Sequence, residues 1–294
     1  KVVAATRIEP PLHPSGREKI TRDFGLWPED FREDDFIEFV REEQERSMDQ
    51  TTKGIFAPWA MYKEDFLRIG GHDPLFAPFP YEDSDIFQRC IIAGYDVLQS
   101  RDALVYHLTC RGHKWTDDDI IGKVDDTWEE AERNASRNFI RKWNSEIAVD
   151  EYHYPIIIPK YNTCLIADNV DSVEQLDILE PWFCHTVIDS FDLVAMYLYK
   201  EQPDTILDMS ERISTKEMEE YSDYGVKIYI DLHQLAPEEY GNLGKMNLIL
   251  QELHKNMSLE FNLSGEYQLG NIKVQVDSLD NIIDSLIVAG NYNE

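Results

Sequence analysis

Short apolar runs, separated by segments with helical patterns, constrain the fold of this 294-residue chain most strongly. The strand-like runs include KVVAATRI at residues 1–8, TCLIAD at residues 163–168 and VKIYIDL at residues 226–232. Strands that alternate with helices favour an α/β fold. No run approaches the roughly 20 apolar residues that a membrane-spanning helix needs, and we therefore expect no transmembrane segment.

Residues 144–162 interrupt this pattern, because they lose helical periodicity and contain Pro155 and Pro159. Proline lacks the backbone N–H that a helix or a sheet uses, so it disfavours both. We therefore place a domain boundary in this segment. The expected domains are residues 1–150 and a smaller α/β domain at residues 155–294 with a largely parallel sheet, in which no motif points to a chemistry.

The spacing of apolar residues predicts the individual elements. In the first domain we expect helices at residues 28–47, 63–69, 83–93 and 127–143, and strands at residues 1–8, 53–62, 96–100 and 103–107. In the second we expect helices at residues 171–180, 215–222, 237–256 and 278–289, and strands at residues 163–168, 193–199, 226–232, 259–263 and 272–276.

The formal net charge of −29 argues against two classes of partner. A protein with this much negative charge gains nothing from neutralising phosphates, so we expect no nucleic-acid partner. Anionic membrane surfaces would also repel it. A negatively charged ligand must be bound locally, through a metal ion or a few Arg and Lys side chains.

The four cysteines are far apart and form no C-x-x-C. This spacing favours free thiols in a reducing compartment, and we expect a cytoplasmic protein.

Three carboxylates, Glu82, Asp83 and Asp85, crowd the start of the predicted helix at residues 83–93. Such a cluster is compatible with ordinary capping, with a metal site or with a catalytic base. Capping alone would stabilise each carboxylate by about 0.3–1 kcal/mol at the helix N-terminus. The setting adds weight to a functional role, because a glycine- and aromatic-rich loop precedes the cluster and a strand that ends in His107 follows it.

The order of motifs in residues 50–115 resembles the C-terminal half of the catalytic domain of family 2 glycosyltransferases with the GT-A fold. Five elements carry this resemblance: a helix ending in GGHD, then EDSD, an Arg on the same helix, GYDV, and a strand ending in His. The likeness extends more loosely over residues 1–143. It implies an incomplete GT-A domain, with a Rossmann-like mixed sheet, that uses a nucleotide-sugar donor and a glycan or other hydroxyl acceptor.

The resemblance also implies roles for individual residues. Asp83 would be the general base that deprotonates the acceptor hydroxyl in an inverting transfer, and the helix N-terminus would keep its carboxylate ionised. His107 would bind Mn²⁺ or Mg²⁺, or the diphosphate. The acceptor cleft would be lined by Trp59, Gly70, Gly71, Glu82 and Asp85, and the diphosphate would meet Arg111, His113 and Lys114.

Simpler interpretations of several of these residues stay open. Trp59 is equally compatible with core packing, and His107 with the capping of a buried strand. The basic residues at positions 111–114 also fit an ordinary surface loop. Asp85 and Arg89 are four residues apart on the predicted helix, so they can form an ion pair that braces it.

The donor-binding half of a GT-A domain, which carries a D-x-D metal motif, is not found in this sequence. We therefore expect the strand at residues 1–8 to pair with strands from another polypeptide segment that completes the sheet and supplies the D-x-D. The chain by itself would then be inactive. Two functions follow from the sequence: part of a nucleotide-sugar-dependent glycosyltransferase, or a non-catalytic binding or assembly subunit that retains the scaffold.

Overall fold

The computed structural model describes residues 1–108, 126–216, 223–257 and 264–287. The chain forms a mixed α/β structure with two separate sheets, one built from residues before position 107 and one from residues after position 162. The predicted α/β class is confirmed. Among the described residues no helix is long and apolar enough to cross a membrane.

The first sheet has five strands in the order β2-β1-β5-β3, with β4 also paired to β1. Their bounds are β1 Val2–Glu9, β2 Lys19–Thr21, β3 Thr51–Thr52, β4 Trp59–Ala60 and β5 Val97–Tyr106. The two strands expected at residues 96–107 are one strand, whose pairing with β1 shifts register opposite Ala4–Thr6. The strand expected at residues 53–62 shrinks to two residues, and Pro58 immediately before it has no N–H for the ladder.

Both edges of β1 are occupied by strands of the same chain. β5 runs parallel along one edge from Val2 to Ile8, while β4 pairs with residues 3–4 and β2 with residues 7–9 on the other edge. The expectation that β1 pairs with strands from another polypeptide is therefore wrong. The loop at residues 10–18 brings β2 back to β1, whereas β4 reaches β1 only later in the chain, after β3.

Helices cover this first sheet. Their bounds are α1 Glu33–Ser47, α2 Lys63–Arg68, α3 Glu82–Ile92 and α4 Asp126–Trp143. α1 is shorter than predicted, because residues 28–30 form a separate 3₁₀ turn that starts at Pro28. α3 buries Ile86, Phe87 and Cys90 against β1 and β5, and this packing fixes the position of the acidic residues at its start.

The second sheet has six strands in the order β10-β11-β9-β6-β7-β8. Their bounds are β6 Thr163–Asp168, β7 His185–Ile188, β8 Ile213–Thr215, β9 Val226–Asp231, β10 Gly265–Leu269 and β11 Ile272–Val276. β9, β6, β7 and β8 are parallel, and β10 and β11 add an antiparallel hairpin at the β9 edge. The sheet is therefore mixed, and the sequence pattern missed β7 and β8.

Four helices accompany this sheet: α5 Val173–Leu179, α6 Phe191–Glu201, α7 Tyr240–Gly244 and α8 Met246–Met257. The strand predicted at residues 193–199 is helix α6, and the long helix predicted at residues 237–256 is divided at Lys245. The helix predicted at residues 278–289 is only a 3₁₀ turn at Ile283–Leu286. The helix predicted at residues 215–222 and the strand at residues 259–263 fall almost entirely outside the described residues.

The two sheet units meet along α4 through buried charges. Arg141 lies 2.9 Å from Glu180 and 2.6 Å from Glu201, both of which belong to the second unit. The next residue, Lys142, lies 2.6 Å from Asp85 of α3. All five side chains are nearly inaccessible to solvent. Removing one partner of such a buried pair is strongly destabilising, so these contacts hold the units in one arrangement.

Candidate active site around Asp83

The backbone at the start of α3 is strained. Tyr81, directly before the helix, has φ 84°, a left-handed conformation that side chains other than glycine rarely adopt. Strained residues of this kind concentrate at functional sites, because the surrounding structure must stabilise them. The strain lies next to Glu82 and Asp83, the first two residues of α3.

Asp83 is half-buried, and its environment suits a proton acceptor. Burial raises the pKa of Asp83 above its ordinary value, although the side chains of Trp59, His72 and Arg7 act in the opposite direction. The resemblance implied that the helix N-terminus keeps this carboxylate ionised. Burial acts against the ionised form.

Trp59 stands between the core and this carboxylate. Its ring packs edge-on against Phe87 at 5.8 Å between centroids, and it is only partly buried. Core packing therefore describes one part of the indole, and its side chain lies close enough to Asp83 to favour the ionised carboxylate. Whether it also contacts an acceptor stays a prediction.

A cavity of about 190 Å³ adjoins Asp83. One side is formed by Ile55, Phe56 and the first two turns of α3. The other side comes from the segment between the sheets, which contributes Ile147, Val149, His153 and Pro155. This contribution was not predicted, because the sequence marked that segment only as a boundary.

The wall of this cavity is a small hairpin at residues 148–156. The Ile156 N–H donates to the Ala148 carbonyl at 2.8 Å, and the Asp150 carboxylate accepts from the backbone N–H groups of Tyr152 and Tyr154. The Asp150 side chain thus closes the turn by itself, as Asp commonly does. Such local hydrogen bonding makes the wall an ordered element.

A second cluster of charges lies beside the cavity, along β1. The Arg7 guanidinium stacks 3.4 Å from the centroid of Phe56 and pairs with Glu9 at 2.8 Å. Arg7 Nε, Glu18 Oε2 and Glu82 Oε2 are buried, and none has a hydrogen-bond partner among the residues that the structure describes. Buried polar atoms are normally paired, so three unpaired atoms near one cavity point to a place where a ligand or water binds.

His107 follows the end of β5 and is held by Glu9, with 2.8 Å between Nδ1 and the Glu9 carboxylate. Burial opposes the ionisation of Glu9, but hydrogen bonds with His107 and Lys19 and the charge of Arg7 lower the pKa of this carboxyl to about 2. A carboxylate that fixes one ring nitrogen commonly orients the other toward a metal ion. Because His107 is 45% exposed, its Nε2 can meet a ligand.

Within the described part of the chain, no group of three or more His, Cys, Asp or Glu side chains could hold a metal ion. Mn²⁺ and Mg²⁺ are held by several ligands from a protein and its substrate, and His107 would supply only one of them. The described residues therefore do not by themselves fit a metal centre, and the predicted cofactor stays a prediction.

The other predicted acceptor residues have mainly structural contacts. Gly70 and Gly71 have φ values of 90° and 65° and end the turn after α2, where the Arg89 guanidinium donates to the Gly71 carbonyl at 2.7 Å. Asp85 is fully buried and pairs with Arg89 at 2.7 Å, as the spacing predicted. With this burial, Asp85 braces α3 and does not reach the cavity. Arg111, His113 and Lys114 lie outside the described residues.

No family model matches the chain, and comparison with curated proteins and with solved structures finds no match either. The chemistry must therefore be argued from the geometry. A half-buried carboxylate at the rim of a cavity, with a pKa that burial raises, can accept a proton from a hydroxyl group.

Proposed function

We propose that this chain is the catalytic and acceptor-binding part of an inverting, nucleotide-sugar-dependent glycosyltransferase of the GT-A type, with Asp83 as its general base. The observation that supports this most directly is the position of the half-buried Asp83 at the rim of a cavity, beside Trp59. The order of motifs from GGHD to the strand-ending His107 agrees with this assignment.

In the proposed reaction, a hydroxyl oxygen of the acceptor attacks the anomeric carbon of the donor sugar. Asp83 takes the hydroxyl proton, the new glycosidic bond forms, and the bond to the nucleoside diphosphate breaks with its electron pair leaving on the diphosphate. A carboxylate whose pKa is raised by burial accepts that proton more readily than an ordinary Asp. The neighbouring Trp59 side chain would help to hold the carboxylate in position.

The donor site needs groups beyond those that the structure describes. A bound Mn²⁺ or Mg²⁺ would supply positive charge to the leaving diphosphate. In the described part of this chain, His107 is the residue that we propose contacts it. Because both edges of β1 are occupied, a D-x-D-bearing segment would have to join the first sheet at an outer strand, β2, β3 or β4.

The variant Asp83→Asn tests the role of the base. It keeps the shape of the side chain but removes the proton acceptor, so transfer from nucleotide sugars, measured in the enzyme completed by its donor-binding segment, should fall by about 10²–10⁴-fold. Donor binding should change little. The control is Asp96→Asn, at an exposed position just after α3, which should keep normal turnover. Normal turnover with Asp83→Asn would remove Asp83 from this role.

A second candidate function is a non-catalytic binding or assembly subunit. One specific observation favours it: β1 is fully paired within the chain, so the first sheet does not depend on an added strand at that position. The two candidates differ in a binding assay with labelled nucleotide sugars in the presence of Mn²⁺. A transferase should bind at least one donor and turn it over. A binding subunit should bind no nucleotide sugar and keep only its binding to a different ligand.

A further inference from the structure

We propose that the acceptor is an uncharged oligosaccharide, which lies in a groove running from Asp83 to a second sugar site beside Trp182. This inference rests on the proposed function, because Asp83 marks the place of the reacting hydroxyl. It goes further by giving the second α/β unit a part in acceptor recognition.

Three cavities meet at one side chain, Ile147. The first, next to Asp83, has a volume of about 190 Å³. The second, about 230 Å³, is lined by Tyr81 and α4, and the third, about 200 Å³, by Trp182 and the start of α8. Ile147 lines all three and is 38% exposed. The cavities therefore form a path along the segment that joins the two sheet units.

The third cavity contains unpaired hydrogen-bond acceptors. Asn144 and Asn247 line it and are only 2% and 4% exposed, and the Oδ1 atom of each is buried without a partner among the described residues. The orientation of the Asn247 amide is fixed, because its Nδ2 donates to the Asn144 carbonyl at 2.9 Å. Buried acceptors left without a donor are costly, so this cavity suits a ligand that brings hydroxyl or amide donors.

Trp182 supplies an apolar wall to the same cavity. The indole lies so close to Gly244 that a Cβ at that position would meet it at 3.3 Å, so the glycine allows the close approach of α7 to the ring. An indole combines a broad apolar face with a polar edge. A pyranose ring has matching features, with a face of C–H groups and a rim of hydroxyl donors.

The charges at the rim fit a neutral ligand. Glu146 and Lys245 both line the third cavity and are opposite in sign, so they add no net charge. The chain carries a net charge of −29, which repels sulfated or uronic-acid glycans. A neutral sugar chain, with one residue at Trp182 and its reacting end at Asp83, satisfies each of these features.

Binding of sugar ladders to the full chain tests the groove. The probes are labelled β-linked glucose, galactose and N-acetylglucosamine oligomers of one to five residues, measured by titration calorimetry. In the series that binds, affinity should rise by about tenfold or more between the monomer and the longer oligomers. The variant Leu248→Trp fills the third cavity from a position that is 42% exposed. It should reduce the affinity for long oligomers to that for the monomer and leave the monomer unaffected.

The matched control is Ile178→Trp, which adds the same bulk at an exposed position of α5 that does not line the groove. It should leave every affinity unchanged. Equal affinity for all lengths, or full affinity for long oligomers in Leu248→Trp, would overturn the groove while leaving the role of Asp83 standing. If no sugar in any series bound, the groove would be overturned, whereas the proposed function would be decided separately by the turnover of Asp83→Asn.

Discussion

Arg141 and Lys142 are consecutive residues of α4, yet their side chains enter opposite units of the molecule. Lys142 Nζ lies 2.6 Å from Asp85 of α3, the helix that carries Asp83, and Arg141 lies 2.6 Å from Glu201 of the second unit. One turn of one helix therefore fixes the candidate base relative to the second sheet. A groove that crosses both units requires such a fixed arrangement.

The first prediction concerns Arg141. Arg141→Met leaves Glu180 and Glu201 buried with fewer positive partners, so the free energy of unfolding should fall by about 3 kcal/mol. Urea denaturation measures this change. Arg17→Met is the control, because the Arg17–Glu151 pair is largely exposed and such pairs contribute about 0–1 kcal/mol. Equal effects of the two variants would show that the buried pair does not hold the units together.

The second prediction concerns the stability cost of the candidate base. The pKa of Asp83 is raised in the folded state, so its ionisation opposes folding at every pH above that raised value. Below the ordinary pKa of an Asp carboxyl the cost is absent. Asp83→Asn should therefore raise the melting temperature at pH 7.5, by an amount that shrinks as the pH is lowered. A lower melting temperature at pH 7.5 would contradict the burial argument.

The third prediction concerns Glu9, whose pKa is lowered to about 2. Its stabilising contribution is complete above the ordinary Glu pKa and is lost as the pH falls toward 2. Glu9→Gln should cost about 3 kcal/mol of unfolding free energy at pH 7 and less than half of that at pH 3. Chemical denaturation at both values measures it, with exposed Glu64→Gln as the control. A cost that does not change with pH would mean that Glu9 acts only through packing.

The fourth prediction compares two glycines. Gly71 has φ 65°, and an added Cβ would meet the Phe66 ring at 3.1 Å, so Gly71→Ala should destabilise the fold by about 1–2 kcal/mol. Gly241 lies in α7 with no atom within 4 Å of such a Cβ. Gly241→Ala should stabilise the fold by about 0.5–1 kcal/mol. The melting temperatures of the two variants should shift in opposite directions. Shifts in the same direction would contradict this prediction.

Local patterns predicted the parts of the fold that depend on local interactions. β6 was predicted at its observed bounds, and α3 within one residue, because apolar periodicity and a glycine stop determine them. The strand predicted at residues 193–199 was wrong, because that run is apolar on all sides and its pattern therefore does not distinguish a strand from a helix. In the structure Val194, Tyr197 and Glu201 form the buried face of a helix that Ser190 caps.

The candidate site, too, could be predicted from the sequence only where it depends on local patterns. Asp83 and His107 could be selected from the sequence, because both end or begin a predicted element. The Glu9–His107 pair joins residues 98 positions apart, and neither that pair nor the cavity wall from residues 147–155 has a local signal. The pair forms when β1 pairs with β5, and the cavity forms when residues 147–155 fold back against α3.

The 148–156 hairpin sets a limit on how this chain can be recombined with others. It lies between the two sheets in sequence, where a chimaera would ordinarily be joined, yet it forms a wall of the Asp83 cavity. A junction within residues 144–158 would combine the cavity floor of one parent with the wall of another. Modular exchange of the second unit should therefore keep this segment together with α3 and α4 of its own parent.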